Sequence, residues 1–171
     1  AALAAMGTYR QFILYKLQPS PTKPGKTDKF PINLDTGYTH NPSDPLIWRS
    51  FGEVAAVVPV FGPGYGVGFV FSEFDPFWFL DIDDCLVNGG WSSTALELCA
   101  LFPDCAKEVS QSGAGLHIFG SGPVPAHGSD NKTLHAQFYH TKRFVALTGV
   151  GACGDIRVQS DNVGVLVDRY F

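Results

Sequence analysis

The stretch FWFLDIDDC, residues 77–85, combines a strong β-strand pattern with a dense group of acidic residues. Its first four residues, Phe77 to Leu80, are apolar and mostly aromatic, which is typical of a buried strand. Acidic residues follow at once, and their carboxylates repel one another at the end of such a strand. Because Asp81 and Asp83 are two positions apart, an extended chain places both carboxylates on the same face. This pair is the first candidate site in the sequence.

Further strands are predicted on both sides of this stretch. Runs rich in branched and aromatic residues indicate strands at residues 9–17, 66–71, 106–110, 115–120, 133–139 and 143–148. The run 66–71 is expected to form a hairpin with residues 77–83, because only a short segment separates them. Residues 19–31, PSPTKPGKTDKFP, have the Pro, Lys and Gly content of a loop.

Two helices are predicted. Ser43-Asp44-Pro45 has the composition of a helix start, and a helical apolar pattern continues to about residue 58, so we expect a helix at about 44–58. A second helix is expected to start at residues 91–93 and to end at Pro103. Its predicted apolar face consists of Ala95, Leu96, Cys99 and Phe102. These elements favour one α+β domain with an antiparallel or mixed sheet.

The composition excludes several classes of protein. The chain has 171 residues, 45% of them hydrophobic and 16% charged, as expected for one globular domain rather than a disordered or fibrous protein. No apolar run approaches the roughly 20 residues of a membrane span, so we expect a cytoplasmic protein that does not bind membranes. Residues 1–8 are expected to be a disordered or expression-derived end.

Charge is unevenly distributed along the chain. The net charge of −4 argues against a generally basic nucleic-acid-binding surface. A basic strip nevertheless lies near the start of the chain and consists of Arg10, Lys16, Lys23, Lys26 and Lys29. Such a strip can bind phosphates on an acidic protein, although an ordinary solvated loop has the same composition.

Three short segments contain residues suited to chemistry. Asp81 and Asp83 offer hard oxygen ligands for a divalent metal, or are simply solvated acids. The segment SQSGAGLH, residues 110–117, has glycines and hydroxyls that allow backbone N–H groups to approach an anion, although His117 is equally suited to a protein core. Arg143 begins a strand and could contact a phosphate, or be an ordinary exposed arginine.

The order of these segments is more informative than any one of them. D-x-D, then S-x-S-G-x-G-x-H, then R-F-x-x-x-T-G resembles the archaeo-eukaryotic primase superfamily, and most of all its phage- and plasmid-type bifunctional primase–polymerases. The upstream segments KTDKFPINLDTG, NPSDPLIWRSF and GVGFVFSEFDPFWFLDIDDC are similar to blocks of the same family. The resemblance covers roughly residues 10–150.

The resemblance implies a fold and a reaction. Residues 9–171 would form one catalytic domain, with an RRM-like mixed or antiparallel central sheet flanked by helices, within a longer chain. The reaction would be template-directed nucleotidyl transfer, by a DNA primase and/or DNA polymerase, in phage or plasmid replication. Its partners would be single-stranded or primed DNA, nucleoside triphosphates and possibly a helicase domain in cis or in trans, in the bacterial host cytoplasm if a phage encodes the chain.

The resemblance also implies roles for individual residues. Asp81 and Asp83 would hold two Mg²⁺ or Mn²⁺ ions, one activating a 3′-hydroxyl and the other binding the leaving pyrophosphate. The triphosphate would be bound by Ser110, Ser112, Gly113, Gly115 and His117. Arg143 would contact phosphates or template, and Lys29, in the family's K-x-P position, would face nucleotide or template.

Gln137 departs from the family pattern. The family has a third carboxylate at this position, six residues before the arginine of the R-F motif. A neutral amide is a poorer metal ligand than a carboxylate. Asp84 or Asp130 could substitute, substrate phosphates could complete the site, or polymerase activity has been lost, whether naturally or through an engineered Glu→Gln change.

Two other functions are compatible with parts of the sequence. Asp81 and Asp83, with the later Gly154-Asp155 and Asp161, resemble the motifs of haloacid-dehalogenase-type phosphatases, but that family has its aspartates near the chain start and a large parallel sheet after them. A non-enzymatic module that binds nucleotides or single strands is the other alternative. The aromatic residues Tyr38, Trp48 and Phe51 could stack bases there, or Trp48 and Phe51 pack in a helix core.

Overall fold

A computed structural model of the protein describes residues 2–171, which form an α+β structure with antiparallel sheets, as the sequence predicts. The chain divides into two compact units. The larger unit contains residues 73–141 and 148–171 together with the N-terminal residues up to Met6. The smaller unit contains residues 7–72 and 142–147. No helix among residues 2–171 is long and apolar enough to cross a membrane.

The smaller unit contains a four-stranded antiparallel sheet in the order β11-β3-β1-β2. These strands are β1 (Phe12–Pro19), β2 (Thr27–Ile32), β3 (Tyr65–Phe71) and β11 (Arg143–Ala146). The first residues of β1 are buried, and Phe12 packs edge-on against Phe69 of β3 with 5.1 Å between ring centroids. Except for Ile32, β2 lies within residues 19–31, which were predicted to be a loop, so that prediction is wrong there. Its charged residues and Pro31 are tolerated because β2 is an edge strand.

The first α-helix begins later than predicted. Asp44 caps only a short 3-10 helix, Pro45–Ile47, and α1 spans Phe51–Phe61. Ser50 and Glu53 form a capping box in which each side chain accepts a hydrogen bond from the other residue's backbone N–H. The Glu53 carboxylate also accepts a hydrogen bond from the Ser50 hydroxyl, and this bond, followed by the one from the Ser50 backbone N–H, lowers the pKa of Glu53 to about 2. The chain then turns at Gly62, which has a φ of 92° and ends the helix.

The larger unit contains a five-stranded antiparallel sheet in the order β7-β8-β4-β10-β9. These strands are β4 (Phe77–Ile82), β7 (Ala106–Val109), β8 (Leu116–Ser121), β9 (Asp130–Asn131) and β10 (Ala136–Tyr139). A small hairpin of β5 (Leu86–Val87) and β6 (Gly90–Trp91) follows β4, and the helices are α2 (Ser93–Leu101) and α3 (Ser160–Tyr170).

One face of this sheet forms the core of the larger unit. Trp78, Leu80 and Ile82 alternate along β4 and pack in one cluster with Leu98 of α2 and Leu166 of α3. The Trp78 ring lies 4.9 Å from the Phe102 ring and 5.7 Å from the Phe138 ring, measured between centroids. Because side chains alternate along a strand, the residues between these core positions belong to the opposite face.

The structure corrects three further predictions. The hairpin between residues 66–71 and 77–83 is wrong, because β3 pairs with β1 and β11 whereas β4 pairs with β8 and β10. On α2, Leu96 is exposed and Leu98 is buried, so the predicted apolar face is incorrect at Leu96. Near the start of the chain, where a disordered or expression-derived end was expected, Ala4–Thr8 form a 3-10 helix with Met6 buried, so the disordered alternative is wrong for these residues.

Candidate active site

The pairing of the strands aligns five polar residues across the sheet of the larger unit. Asp81 on β4 is paired with His117 on β8 and with Gln137 on β10. Glu108 on β7 is paired with His117, and Asp130 on β9 is paired with Gln137. Directly opposed residues on neighbouring strands share a face of the sheet. We call this line, Glu108–His117–Asp81–Gln137–Asp130, the polar row.

An aromatic layer lies beside the polar row on the same face. Phe79, two residues before Asp81, stacks on Phe119 and on Tyr139, with ring centroids 6.3 and 5.6 Å apart. The Tyr139 hydroxyl donates a hydrogen bond of 3.3 Å to Gln137 Oε1. Gln137 is therefore hydrogen-bonded to the aromatic layer through Tyr139 and is also the cross-strand neighbour of Asp81.

Glu108 and His117 form a buried pair at one end of the polar row, and each is only 1% exposed. His117 Nδ1 lies 3.0 Å from Glu108 Oε1. Glu108 Oε2 accepts hydrogen bonds from the backbone N–H groups of Thr148, at 3.1 Å, and Gly149, at 2.8 Å. A buried carboxylate is tolerated only with such donors around it. Of the two predicted environments for His117, the structure shows a buried one.

Glu108 was missed by the sequence analysis. It lies in the strand AKEV, in which buried and half-buried residues alternate, and its two-residue spacing from the buried Ala106 is the available signal. Thr148 and Gly149 belong to the quoted R-F-x-x-x-T-G motif, but no role was assigned to them. Their backbone N–H groups bind the Glu108 carboxylate, so the T-G end of the motif belongs structurally to the polar row.

Asp81 occupies the centre of the polar row. Its side chain is 20% exposed, and its Oδ1 atom is buried without a hydrogen-bond partner in the described part of the chain. His117 Nε2 lies 3.6 Å from this oxygen, which is longer than a hydrogen bond. Asp81 therefore presents a carboxylate that is partly reachable from solvent and whose buried oxygen is unsatisfied.

Asp83 lies at the same end of β4. It is exposed, and its backbone N–H donates a 2.8 Å hydrogen bond to His135 O, so the pairing with the β10 side continues as far as Asp83. Asp84 then adopts a φ of 48°, which takes the chain out of the extended conformation. Asp81 is thus the acid within β4, and Asp83 is the first residue of the turn that follows it.

The predicted phosphate-binding segment forms a tight turn between β7 and β8. Ser110 Oγ accepts a hydrogen bond from the Gly115 N–H and lies 3.1 Å from Ser112 Oγ. A Cβ on Gly115 would lie 2.6 Å from Ser110 Oγ and 2.8 Å from Ile82 O, so only glycine fits there. Gly113 has a φ of 78°, which also favours glycine. Because Ile82 is next to Asp83, the turn lies beside the acidic end of β4.

Lys29 and Arg143 belong to the smaller unit and are not close to each other. Lys29 lies on edge strand β2 opposite Leu17, and Arg143 begins edge strand β11 opposite Phe71. The two edge strands are separated by β3 and β1, or about 14 Å at the usual strand spacing. Leu17 and Phe71 also lie toward opposite ends of the sheet, so these two predicted residues occupy different corners.

The structure also bears on the alternative functions. Each sheet that the described residues form is antiparallel, whereas the phosphatase interpretation requires a large parallel sheet, so that alternative is wrong. Among the aromatic residues, Tyr38 is 77% exposed. Trp48 packs against the buried cluster of Ile13, Ile47 and Val70, as the core interpretation predicts. Phe51 is about half exposed, at the start of α1.

The possible metal ligands are Asp81, at the end of β4, and Asp83, just after it. Among residues 2–171, no group of three or more His, Cys, Asp or Glu side chains is arranged to hold a metal ion. A Mg²⁺ ion in a phosphate-handling site usually takes only one or two carboxylates from the protein and completes its coordination with water and substrate phosphates. The pair Asp81 and Asp83, with an unsatisfied carboxylate oxygen on Asp81, meets that lower requirement.

No family model matches this chain. The chain is similar to the DNA primase-polymerase of Nitratiruptor phage NrS-1, with 29% identity over 159 residues. The similarity covers 86% of this chain and 20% of the phage protein, so the chain spans about a fifth of that relative's length. This similarity confirms the resemblance to phage-type primase–polymerases that the order of the motifs indicated.

Proposed function

We propose that the chain carries out template-directed nucleotidyl transfer, as a DNA primase and/or DNA polymerase in phage or plasmid replication. The observation that carries this proposal is the placement of Asp81 and Asp83 beside the turn of residues 110–115, at one end of one sheet. Acids for metal and a turn for an anion are the two parts that such a reaction requires. The similarity to a phage DNA primase-polymerase supports the same conclusion.

Asp81 and Asp83 would hold the divalent ions, Mg²⁺ or Mn²⁺. Their carboxylates are hard oxygen ligands. The Asp81 side chain is 20% exposed although its Oδ1 is buried, so its other oxygen is the one available to a metal ion. When bound, two such ions supply activation of a 3′-hydroxyl and charge neutralisation at a leaving pyrophosphate.

The protein's own groups would bind and orient the substrates. In the turn of residues 110–115 the Ser112 hydroxyl would contact the nucleotide triphosphate, whereas the N–H groups of Gly113 and Gly115 donate hydrogen bonds to Ser110 within the turn. Arg143 and Lys29, both in the smaller unit, would contact phosphates or template. Because they lie at different corners of one sheet, they are better placed to contact separate points of an extended DNA strand than to bind one phosphate together. The partners would be primed or single-stranded DNA, nucleoside triphosphates and a helicase domain in cis or in trans, in the host cytoplasm.

A primer-extension assay tests this function. The chain is incubated with a primed DNA template, deoxynucleoside triphosphates and Mg²⁺ or Mn²⁺, and elongated products are separated by size. We expect metal-dependent extension that Asp81→Asn and Asp83→Asn each abolish. Asp168→Asn, an exposed acid on α3, is the matched control and should leave extension unchanged. Extension that survives both the Asp81 and the Asp83 substitution would refute the proposed site.

A second candidate is a module that binds nucleotides or single strands without extending them. Gln137 favours it, because an amide stands directly opposite Asp81 where the family has an acid. Fluorescence anisotropy with a labelled single strand, run beside the extension assay, separates the two functions. Tight binding without any elongated product would support the binding module.

A further inference from the structure

We propose that Glu108 is a positioning residue that fixes the His117 ring and directs its Nε2 atom at Asp81. The orientation of the His117 ring is a property of the free protein. Only its effect on catalysis rests on the proposed function. The proposal gives Glu108, Thr148 and Gly149 a part in the site that the motifs do not assign to them.

The first step is the anchoring of Glu108. Its Oε2 atom accepts two backbone hydrogen bonds, from Thr148 and from Gly149. The Thr148 hydroxyl in turn donates a 2.6 Å hydrogen bond to Val109 O, which ties residue 148 to the strand that carries Glu108. The Glu108 carboxylate is therefore fixed through Oε2, and Oε1 is left to contact His117.

The second step is the orientation of the ring. Because Glu108 already serves as an acceptor for two N–H groups, Nδ1 of His117 is the donor in the 3.0 Å contact with Oε1. Phe79 and Phe119 contact the ring edge-on, with centroid distances of 6.4 and 5.8 Å, which restrict its rotation. With Nδ1 committed to Glu108, Nε2 faces the Oδ1 atom of Asp81 at 3.6 Å.

The third step concerns what the ring does at Asp81. Oδ1 of Asp81 is buried without a partner in the described residues, and Nε2 is the nitrogen directed at it. With the ring held by Glu108, Nε2 and not Nδ1 stays on the Asp81 side of the ring, 3.6 Å from Oδ1. Because the ring cannot turn, the Asp81 carboxylate has a fixed neighbour on its Oδ1 side, and outer partners of this kind orient the ligating groups at metal sites.

Nuclear magnetic resonance of the free protein tests the orientation without any substrate. With ¹⁵N-labelled histidine, we expect His117 Nδ1 to carry a proton that exchanges slowly with solvent, because the ring is 1% exposed. In Glu108→Gln the amide can donate to Nδ1, so the Nδ1 proton should be lost. An unprotonated Nδ1 in the wild type, or an unchanged spectrum in the variant, would overturn the proposal.

Steady-state extension kinetics test the consequence. Glu108→Gln should lower kcat by about tenfold or more, the usual effect of removing an outer-shell partner of a metal site, with a smaller change in KM for the nucleotide. Glu97→Gln, the same change at an exposed position on α2, is the control and should change neither constant. If Glu108→Gln raised only KM for the nucleotide, His117 would act on the triphosphate, and the proposal that it acts on Asp81 would be refuted.

The two tests keep this proposal separate from the proposed function. If the wild-type chain extends no primer, the proposed function fails, and the Nδ1 proton still decides whether Glu108 orients His117. If the wild-type chain extends primers and Glu108→Gln extends them equally well, the positioning role fails and the proposed function stands. Should Glu108→Gln not fold, judged by circular dichroism, His117→Gln replaces it, with the expected loss again in kcat.

Discussion

Replacing Gln137 with glutamate puts a second carboxylate directly opposite Asp81, where the structure now has an amide. The two residues are cross-strand partners, so their Cβ atoms lie about 5 Å apart and their carboxylates at a similar separation. At about 5 Å, the repulsion of two unit charges is about 3 kcal/mol at an effective dielectric constant of about 20, and about 1 kcal/mol in bulk water. Without metal, Gln137→Glu should therefore lower the free energy of unfolding by about 1–3 kcal/mol.

Urea unfolding in the presence of EDTA measures this loss, and a double-mutant cycle isolates its cause. Asp81→Asn removes one of the two charges, so the double variant Asp81→Asn/Gln137→Glu should recover most of the stability lost by Gln137→Glu. The coupling free energy between the two substitutions should equal the repulsion of about 1–3 kcal/mol. A coupling below about 0.5 kcal/mol, the usual error of additivity, would refute the placement of these side chains on one face.

Metal should reverse the effect if Asp81 is a metal ligand. A ligand at 100 times its Kd stabilises the folded state by about 2.7 kcal/mol, which offsets the repulsion. In saturating Mn²⁺, Gln137→Glu should therefore be at least as stable as the wild type, whereas the double variant should gain less. Extension activity measured on the same samples shows whether the amide limits the reaction: a large gain in Gln137→Glu means that it does.

Three further predictions concern other parts of the larger unit. Gly115→Ala should lower the free energy of unfolding by about 1–3 kcal/mol, because the added methyl group overpacks the turn. The control Gly164→Ala on α3, where the added methyl group meets open space, should leave this free energy unchanged or raise it by up to about 1 kcal/mol. Equal urea midpoints for the two variants would contradict this prediction. Burial, and after it the nearby His127 charge, lowers the pKa of His140 in the folded protein below its ordinary value of 6.5. Around that pH the unfolded chain therefore binds more protons than the folded protein, so the free energy of unfolding should fall as the pH falls from 7 to 5.5. His140→Gln should make this decline shallower, and identical slopes in urea titrations would exclude His140 as the cause. Burial raises the pKa of the Cys85 thiol to about 11, so alkylation followed by mass spectrometry should modify Cys85 far more slowly than the exposed Cys153; equal rates would refute this.

The strands were predictable where local pattern is sufficient. Phe77–Leu80 and GVGFVF were recognised as strands because buried strands read as continuous apolar runs. The edge strand β2 was not predicted as a strand, because its Lys, Asp and Pro residues are typical of loops. The start of α1 was misplaced because two N-terminal capping patterns, one at Ser43-Asp44-Pro45 and one at Ser50–Glu53, lie in tandem.

Which strands pair was beyond the reach of local pattern. The five residues between β3 and β4 suggested a hairpin, but the two strands pair in different sheets, since the chain enters the other compact unit at about residue 73. The register that opposes Asp81 to His117 and Gln137 joins residues far apart in sequence. Such a register depends on the burial of whole strands and not on the residues of any one of them.

The sequence by itself determined the residue types of the candidate site and their order, because acids, a glycine-rich turn and an arginine are chemically recognisable wherever they fold. Only the tertiary structure decided which of them are neighbours. It placed His117 between Glu108 and Asp81, left Oδ1 of Asp81 buried, and separated Lys29 from Arg143 at opposite corners of a sheet. Glu108 in particular acquires its partners only when β7 pairs with β8 and when residues 148 and 149 donate their backbone N–H groups to it, contacts that no local pattern encodes.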